Sequence, residues 1–116
     1  MKNKTLAVNP VAVVIQLLGA KWKILIIQRL LNKEMRFCEL KKSLGCTAKV
    51  LSNCLQELEQ DGFVIREQNE DEINRVEYYL TDIGYTLKPV IDSMYEWGKD
   101  YKKLRKLMLR KQGQSI

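Results

Sequence analysis

Five polar side chains near the middle of the chain recur at helical spacing and could recognise another molecule through hydrogen bonds. They share one face of a segment whose opposite face is apolar, and they are Lys49, Ser52, Asn53, Gln56 and Gln60. Asn and Gln each present a donor and an acceptor that match the edge of adenine, whereas a lysine ammonium donates to guanine or to a phosphate. This face predicts either a helix that enters the major groove of DNA or the solvated side of an ordinary amphipathic helix.

The composition narrows the chemistry that such a face can serve. The 116 residues contain 20 Lys and Arg against 14 Asp and Glu, a net charge of +6, and no histidine. A basic surplus favours a nucleic acid or an anionic membrane surface as partner. Without histidine there is no Ser-His or Cys-His pair and no imidazole metal ligand, and no Gly-rich phosphate loop is present. We therefore expect neither an enzyme nor a metal or other cofactor.

Cysteine usage and the apolar stretches point to the cytoplasm. Cys38, Cys46 and Cys54 are odd in number, lack zinc-site spacing and follow no signal peptide, which is typical of a protein in a reducing compartment. The apolar stretch 11–31 is interrupted by Lys21 and Lys23. It therefore predicts two core helices rather than a membrane span, and no membrane partner.

The elements that must position the polar face follow from caps, turns and hydrophobic period. Asn9-Pro10 starts a first helix that stops at Gly19, and Thr47 caps the helix that carries the polar face. The alternation at 76–80 is that of a half-buried strand. The full prediction is a flexible arm at 1–8, helices at 10–18, 21–32, 38–44 and 47–60, an edge strand at 35–37, a hairpin at 63–80 with a polar tip at 67–74, and a last helix at 82–110 that Pro89 kinks.

This order predicts a mainly α fold with a small β-hairpin, the winged helix-turn-helix, with additional N- and C-terminal helices for dimerisation. Residues 9–81 would form the DNA-binding domain, and 82–116 the dimerisation helix with a basic tail. The last helix has more apolar surface than one small domain needs, so it either pairs with a second copy or folds back on its own domain. A dimer would place two reading helices about 34–36 Å apart on a palindromic site.

Seven stretches together resemble HxlR-type regulators, a branch of the MarR-like winged-helix transcription factors. They are NPV at 9–11, GAKWKIL at 19–25, RFCEL at 36–40, KVLS at 49–52, LQELEQDG at 55–62, RVEYYLT at 75–81 and EW at 96–97. The resemblance implies a cytoplasmic homodimer that binds operator DNA, with repression as the expected effect. Two alternatives stay open: a winged-helix module that binds protein, and a regulator whose small ligand binds at the dimer interface against Trp22, Tyr95 or Trp97.

The site prediction divides between two surfaces. The DNA-binding residues are predicted to be Arg36, Lys41, Lys42, Thr47, Lys49, Ser52, Asn53, Gln56 and Arg75. The dimer interface is predicted to contain Val11, Val14, Leu87, Ile91, Met94, Tyr95, Tyr101 and Leu104. Lys21 and Lys23 are either further phosphate contacts or plain surface.

Two features depart from the expected pattern. Glu70, Asp71 and Glu72 put negative charge at the wing tip, and we expect their neutralisation to tighten non-specific DNA binding. The cysteine that precedes the first helix in several HxlR-type regulators is Asn9 here, so their thiol switch is not carried over. Cys38 remains as a candidate redox residue because it is predicted at a helix N-cap beside basic residues, although an inert cysteine in that place is the simpler interpretation.

Overall fold

The fold is seen in a computed structural model that describes residues 4–68, 71–72 and 75–113. The elements are α1 (Pro10–Leu18), α2 (Lys21–Asn32), β1 (Met35–Arg36), α3 (Phe37–Leu44), α4 (Ala48–Gln60), β2 (Val64–Gln68), β3 (Val76–Leu80), α5 (Asp82–Tyr85) and α6 (Lys88–Gly113). The strands form one antiparallel sheet in the order β1-β3-β2. The predicted mainly α fold with a small hairpin, a winged helix-turn-helix, is confirmed, and β1 is the edge strand that was predicted beside it.

Short polar side chains begin the helices where the sequence placed them. The Asn9 Oδ1 atom accepts a hydrogen bond from the Val11 amide at 2.8 Å, with Pro10 as the first helical residue of α1. Thr47 Oγ1 accepts from the Val50 amide at 3.2 Å at the start of α4. Each cap satisfies an amide that has no partner inside its own helix, so these starts are encoded locally.

The turn between α3 and α4 depends on one glycine. Gly45 has a φ of 72°, the left-handed conformation that a residue without a Cβ adopts at little cost. Its amide donates to the Lys41 carbonyl at 2.9 Å and so closes α3. Cys46 before the cap and Leu51 after it are both buried, the arrangement of a hydrophobic staple that fixes how the chain enters α4.

The core is built mainly by the inward faces of α2, α3 and α4. Its fully buried side chains are Ile26, Ile27, Leu30, Leu40, Leu51, Leu55 and Leu58. Cys46 and Cys54 are buried beside them, as predicted, and burial raises the pKa of the Cys54 thiol. A buried thiol whose pKa is raised is less often the reactive thiolate, so Cys54 is a small apolar core residue.

The end of the chain differs from the prediction of one kinked helix. Helix α5 ends at Tyr85 and α6 begins at Lys88. The ring of Pro89 has no N–H to donate and would clash with the carbonyl four residues earlier, which is that of Tyr85. The chain therefore tightens, with the Leu87 amide donating to the Gly84 carbonyl at 3.1 Å, before a new helix of 26 residues starts.

The described part of the N-terminal arm, residues 4–8, contacts the body of the protein, and its flexibility stays a prediction. Lys4 Nζ lies 2.8 Å from Asp61 Oδ2, whose side chain is buried at the end of α4. Gln16 of α1 bonds the arm twice: its Nε2 donates to the Thr5 carbonyl at 2.8 Å and its Oε1 accepts from the Ala7 amide at 3.0 Å. Residues 1–3, also assigned to the arm, lie outside the described residues.

Among the described residues, no single helix has both the length and the apolar character needed to cross a membrane. Helices α1 and α2 satisfy those criteria only when taken together, and the chain bends by 87° between them.

Candidate nucleic-acid interface

The polar face of α4 points away from the protein. Lys49, Ser52, Asn53 and Gln56 are exposed, and only Gln60, near the end of the helix, is half-buried. The opposite face, which contains Leu51, Cys54, Leu55 and Leu58, is buried in the core. The side-chain amides of Asn53 and Gln56 are therefore available to a partner, and the opposite face of α4 is packed in the core.

Cations on α3 extend the same surface. Lys41 and Lys42 are exposed in the last turn of α3, just before the Gly45 turn. Together with Cys38, Glu39, Gly45 and Cys46 they line a surface depression of about 570 Å³. Thr47 is also exposed, but its hydroxyl oxygen already accepts the hydrogen bond that caps α4.

Arg75 lies at the base of the wing, as predicted, but its charge is already paired. Its guanidinium contacts the carboxylates of Glu72 and Glu77, each at 2.9 Å. The hydrogen bond to Glu72, followed by that to Glu77, raises the pKa of Arg75 further above its usual value. A phosphate that binds Arg75 must therefore compete with two carboxylates.

Arg36 faces the wing as well as the start of α3. Arg36 of β1 lies opposite Glu77 of β3 in the register of the sheet. Its backbone amide donates to Glu39 Oε1 at 3.0 Å, a hydrogen bond that caps α3. A second depression of about 580 Å³ gathers Arg36 and Arg75 with three carboxylates and a thiol; its lining residues are Glu34, Arg36, Cys38, Glu39, Arg75 and Glu77. This flank has more carboxylates than the depression beside Lys41 and Lys42, which is lined by one, that of Glu39.

The candidate redox residue is not the helix cap. Because α3 begins at Phe37, its N-cap is Arg36 and Cys38 is the second helical residue, so the prediction of an N-cap cysteine is wrong by two positions. Cys38 is exposed and borders both depressions. Its redox role stays a prediction.

The wing tip falls partly outside the described residues. Asp71 and Glu72 are exposed, and Glu72 is engaged by Arg75. Glu70 lies outside the described residues, as do 69, 73 and 74.

One lysine that the sequence left open as a phosphate contact is buried. Lys23 is 7% exposed, and its ammonium forms an ion pair with the carboxylate of Glu57 on α4. The assignment to phosphate is therefore wrong. A sequence signal existed, because Lys23 stands at helical spacing from Ile27 and Leu30 on the inner face of α2. Lys21 is exposed and lies 4.3 Å from the centre of the Trp22 ring.

The predicted interface residues divide into exposed and buried ones. Val11, Val14, Met94, Tyr95, Tyr101 and Leu104 are all exposed on α1 and α6. Ile91 is 5% exposed and Leu87 is half-buried, so both pack against the core of their own chain, and their place in an interface stays a prediction. The first turn of α6 lies against the body, where it closes the core. Ile15, Trp97 and Met108 are further exposed apolar residues on the same two helices.

Comparisons with known proteins agree with this arrangement. A family model described as an HxlR-like helix-turn-helix matches residues 17–106. The HTH-type transcriptional regulator BH0655 of Halalkalibacterium halodurans is 41% identical over 99 residues, which cover 84% of this chain and 88% of that protein. The HTH-type transcriptional regulator YdeP of Bacillus subtilis is 36% identical over 112 residues, covering 88% of each chain.

The solved structures extend the similarity from sequence to fold. The redox regulator HypR in its reduced form superposes with a TM-score of 0.78 at 33% identity, covering 84% of this chain and 98% of the other. The superposition therefore extends over most of the length of both chains.

Proposed function

The chain belongs to the HxlR-like helix-turn-helix family of transcriptional regulators, and on that premise we propose that it represses transcription as a homodimer bound to a palindromic operator. The observation that carries the proposal is the exposed amide face of α4. Asn53 and Gln56 lie about one turn apart, are both exposed, and sit on a helix whose other face is anchored in the core. Such a helix can lie in the major groove without unpacking the domain.

The neighbouring cations hold the reading helix in place on the duplex. Lys49 at the start of α4 and Lys41 and Lys42 on α3 are exposed on the same side of the turn. Contacts of this kind to phosphates set orientation and register, whereas Asn53 and Gln56 supply the sequence preference. Arg36 and Arg75 reach the backbone at the flank, where Glu72 and Glu77 weaken their attraction.

The homodimer is supported by a continuous apolar stripe on α6. Its members follow each other at intervals of four, three, four, three and four residues, the period of a helix that packs lengthwise against another helix. They are Val90, Met94, Trp97, Tyr101, Leu104 and Met108, and each is at least 41% exposed in the single chain. A second copy on this stripe, with α1 beside it, would remove that apolar surface from water.

Selection of bound sequences from random duplex DNA tests the proposal directly. We expect the chain to enrich a palindrome with half-sites about one helical turn apart. Removal of both amides in Asn53→Ala, Gln56→Ala should cost roughly 1–3 kcal/mol per lost bidentate contact and broaden the motif. Asn32→Ala, which removes an exposed amide outside α4, is the matched control and should leave the motif unchanged. Equal enrichment by all three proteins, or no enriched motif, would contradict the proposal.

A further inference from the structure

The whole charge surplus of the chain lies on the second half of α6. Between residues 99 and 111 there are seven cations and one carboxylate, a surplus of six that equals the net charge of the entire chain. The other residues hold 13 cations and 13 carboxylates, so the winged-helix body is balanced. The basic character that suggested a polyanionic partner therefore comes from a segment outside the helix-turn-helix.

These cations form an exposed face of their own, the basic face of α6. Every residue from 99 to 113 is exposed. Lys99, Lys103, Lys106 and Arg110 succeed each other at intervals of three or four residues, on the side of the helix opposite Trp97, Tyr101, Leu104 and Met108. Lys102 extends this face, and Lys102, Lys103, Arg105 and Lys106 border a common surface depression with Leu109.

Nothing in the described part of the chain neutralises most of this charge. Lys99 pairs with Glu96 at 3.1 Å, whereas Lys102, Lys103, Arg105, Lys106, Arg110 and Lys111 form no ion pair with a described residue. Like charges at intervals of four residues on one helix repel each other and destabilise it. The helix dipole favours cations only in the last turn, which accounts for Arg110 and Lys111 and not for the rest. An anionic partner would relieve this repulsion.

We propose that the basic face of α6 is a second DNA-binding surface, which holds the phosphates of duplex DNA without sequence preference. This inference rests on the proposed function, because it assigns the salt-dependent part of DNA affinity to α6 and leaves sequence preference to α4. Duplex DNA fits better than a membrane surface because a helix lying on a bilayer buries its apolar side in lipid. That side is here the stripe of α6 assigned to the second copy of the chain. In the dimer, two basic faces double the charge offered to phosphate.

Binding of a duplex without an operator, measured across a series of salt concentrations, tests this surface. Lys102→Gln, Lys106→Gln should flatten the dependence of log K on log salt by about two for each protomer in contact, and should weaken binding roughly ten- to a hundredfold near 0.1 M salt. The control Lys33→Gln, Lys88→Gln removes two exposed lysines elsewhere and should change neither quantity appreciably. Both pairs are exposed, and equal thermal unfolding would show that the folds are intact.

Two further measurements separate the possible failures. Equal salt dependence in the basic-face variant and the control would overturn the inference. The inference would also be overturned if the basic-face variant alone lost binding to phosphatidylcholine vesicles that contain phosphatidylserine, while its binding to DNA stayed unchanged. The Asn53→Ala, Gln56→Ala protein should keep the salt dependence and lose only the sequence preference. If no operator exists but the Lys102 and Lys106 substitutions still flatten the salt dependence, the repressor proposal fails and this one stands.

Discussion

At the scale of single residues, the ion pair beneath α4 has the clearest structural consequence. The Lys23 side chain is 9% exposed and that of Glu57 is 56% exposed, so the pair joins a buried ammonium to a carboxylate at the protein surface. Glu57 lies one turn after Asn53 on α4. The pair therefore helps to fix the rotation of α4, and with it the direction in which the reading amides point.

The asymmetry of this pair predicts unequal effects on stability. Glu57→Gln leaves the buried ammonium without its counter-ion and should lower the free energy of unfolding by about 1–3 kcal/mol. Lys23→Met should cost less, because the carboxylate that remains is already hydrated and the methionine fills a similar volume. Urea denaturation measures both changes.

A surface pair on α6 supplies the control for that experiment. Glu96→Gln breaks the exposed pair with Lys99 and should leave the free energy of unfolding nearly unchanged, because water already screens this pair. A larger loss from Lys23→Met than from Glu57→Gln would refute the account of the buried ammonium.

At the scale of elements, the charged side chains of the wing are largely paired with one another. Glu67 and Glu77 lie directly opposite each other in the register of β2 and β3, an arrangement of like charges that is unfavourable by itself. Two bonds on the same sheet offset it: the Tyr79 hydroxyl donates to Glu67, and Arg75 donates to Glu77. The hydrogen bond to Glu67 raises the pKa of Tyr79 above its usual value. Arg75, the cation at the base of the wing, is therefore already paired with carboxylates of the wing itself.

Release of that cation should strengthen DNA binding. Glu72→Gln removes one of the two carboxylates that hold Arg75 and one negative charge near the wing tip. We expect affinity for duplex DNA to rise by roughly 1.5- to 5-fold at low salt, and the gain to fade at high salt. Asp92→Asn on α6 removes the same charge away from the wing. Unchanged affinity of Glu72→Gln at low salt would show that the wing does not approach the phosphates.

At the scale of the whole molecule, α6 combines two surfaces. A helix of 26 residues is about 39 Å long, and the longest dimension of the protein is 64 Å. Its first turn closes the core through Ile91, while the rest presents the apolar stripe on one side and the basic face on the other. We propose that the stripe sets the spacing of the two reading helices and that the basic face sets the overall attraction for DNA.

Disruption of the stripe should separate the protomers and weaken operator binding together. Leu104→Glu places a carboxylate within the stripe and should shift the chain to a monomer in sedimentation, with at least about a tenfold loss of operator affinity because each half-site then binds alone. Leu109→Glu is the control for sedimentation only: Leu109 is similarly exposed but is rotated by about 140° from Leu104 around the helix. Leu109 borders the basic face, so this variant is not used to compare operator affinity. If both variants sediment like the parent chain, the stripe is not the interface.

Some features of this protein were readable from the sequence because they depend on neighbours along the chain. The caps at Asn9 and Thr47, the left-handed Gly45 and the outward amides of α4 each involve residues within a turn or two of one another. Helical period and capping are local effects, so they predicted the order of the elements and which face of α4 meets solvent. The break before Pro89 was also local in cause, although the sequence suggested a kink in place of two helices.

Other features were decided only when distant segments packed together. Lys4 contacts Asp61, which is 57 positions away in the sequence, and Lys23 of α2 forms an ion pair with Glu57 of α4. Ile91 packs into the core, whereas the apolar stripe of the same helix is exposed. The pairing of Arg75 with Glu77 likewise depends on how the side chains of one sheet face are arranged. The hydrophobic period of a sequence shows which residues share a face of a helix or strand, but not which part of the protein will cover that face. Burial and ion pairing depend on contacts that the chain makes only in three dimensions.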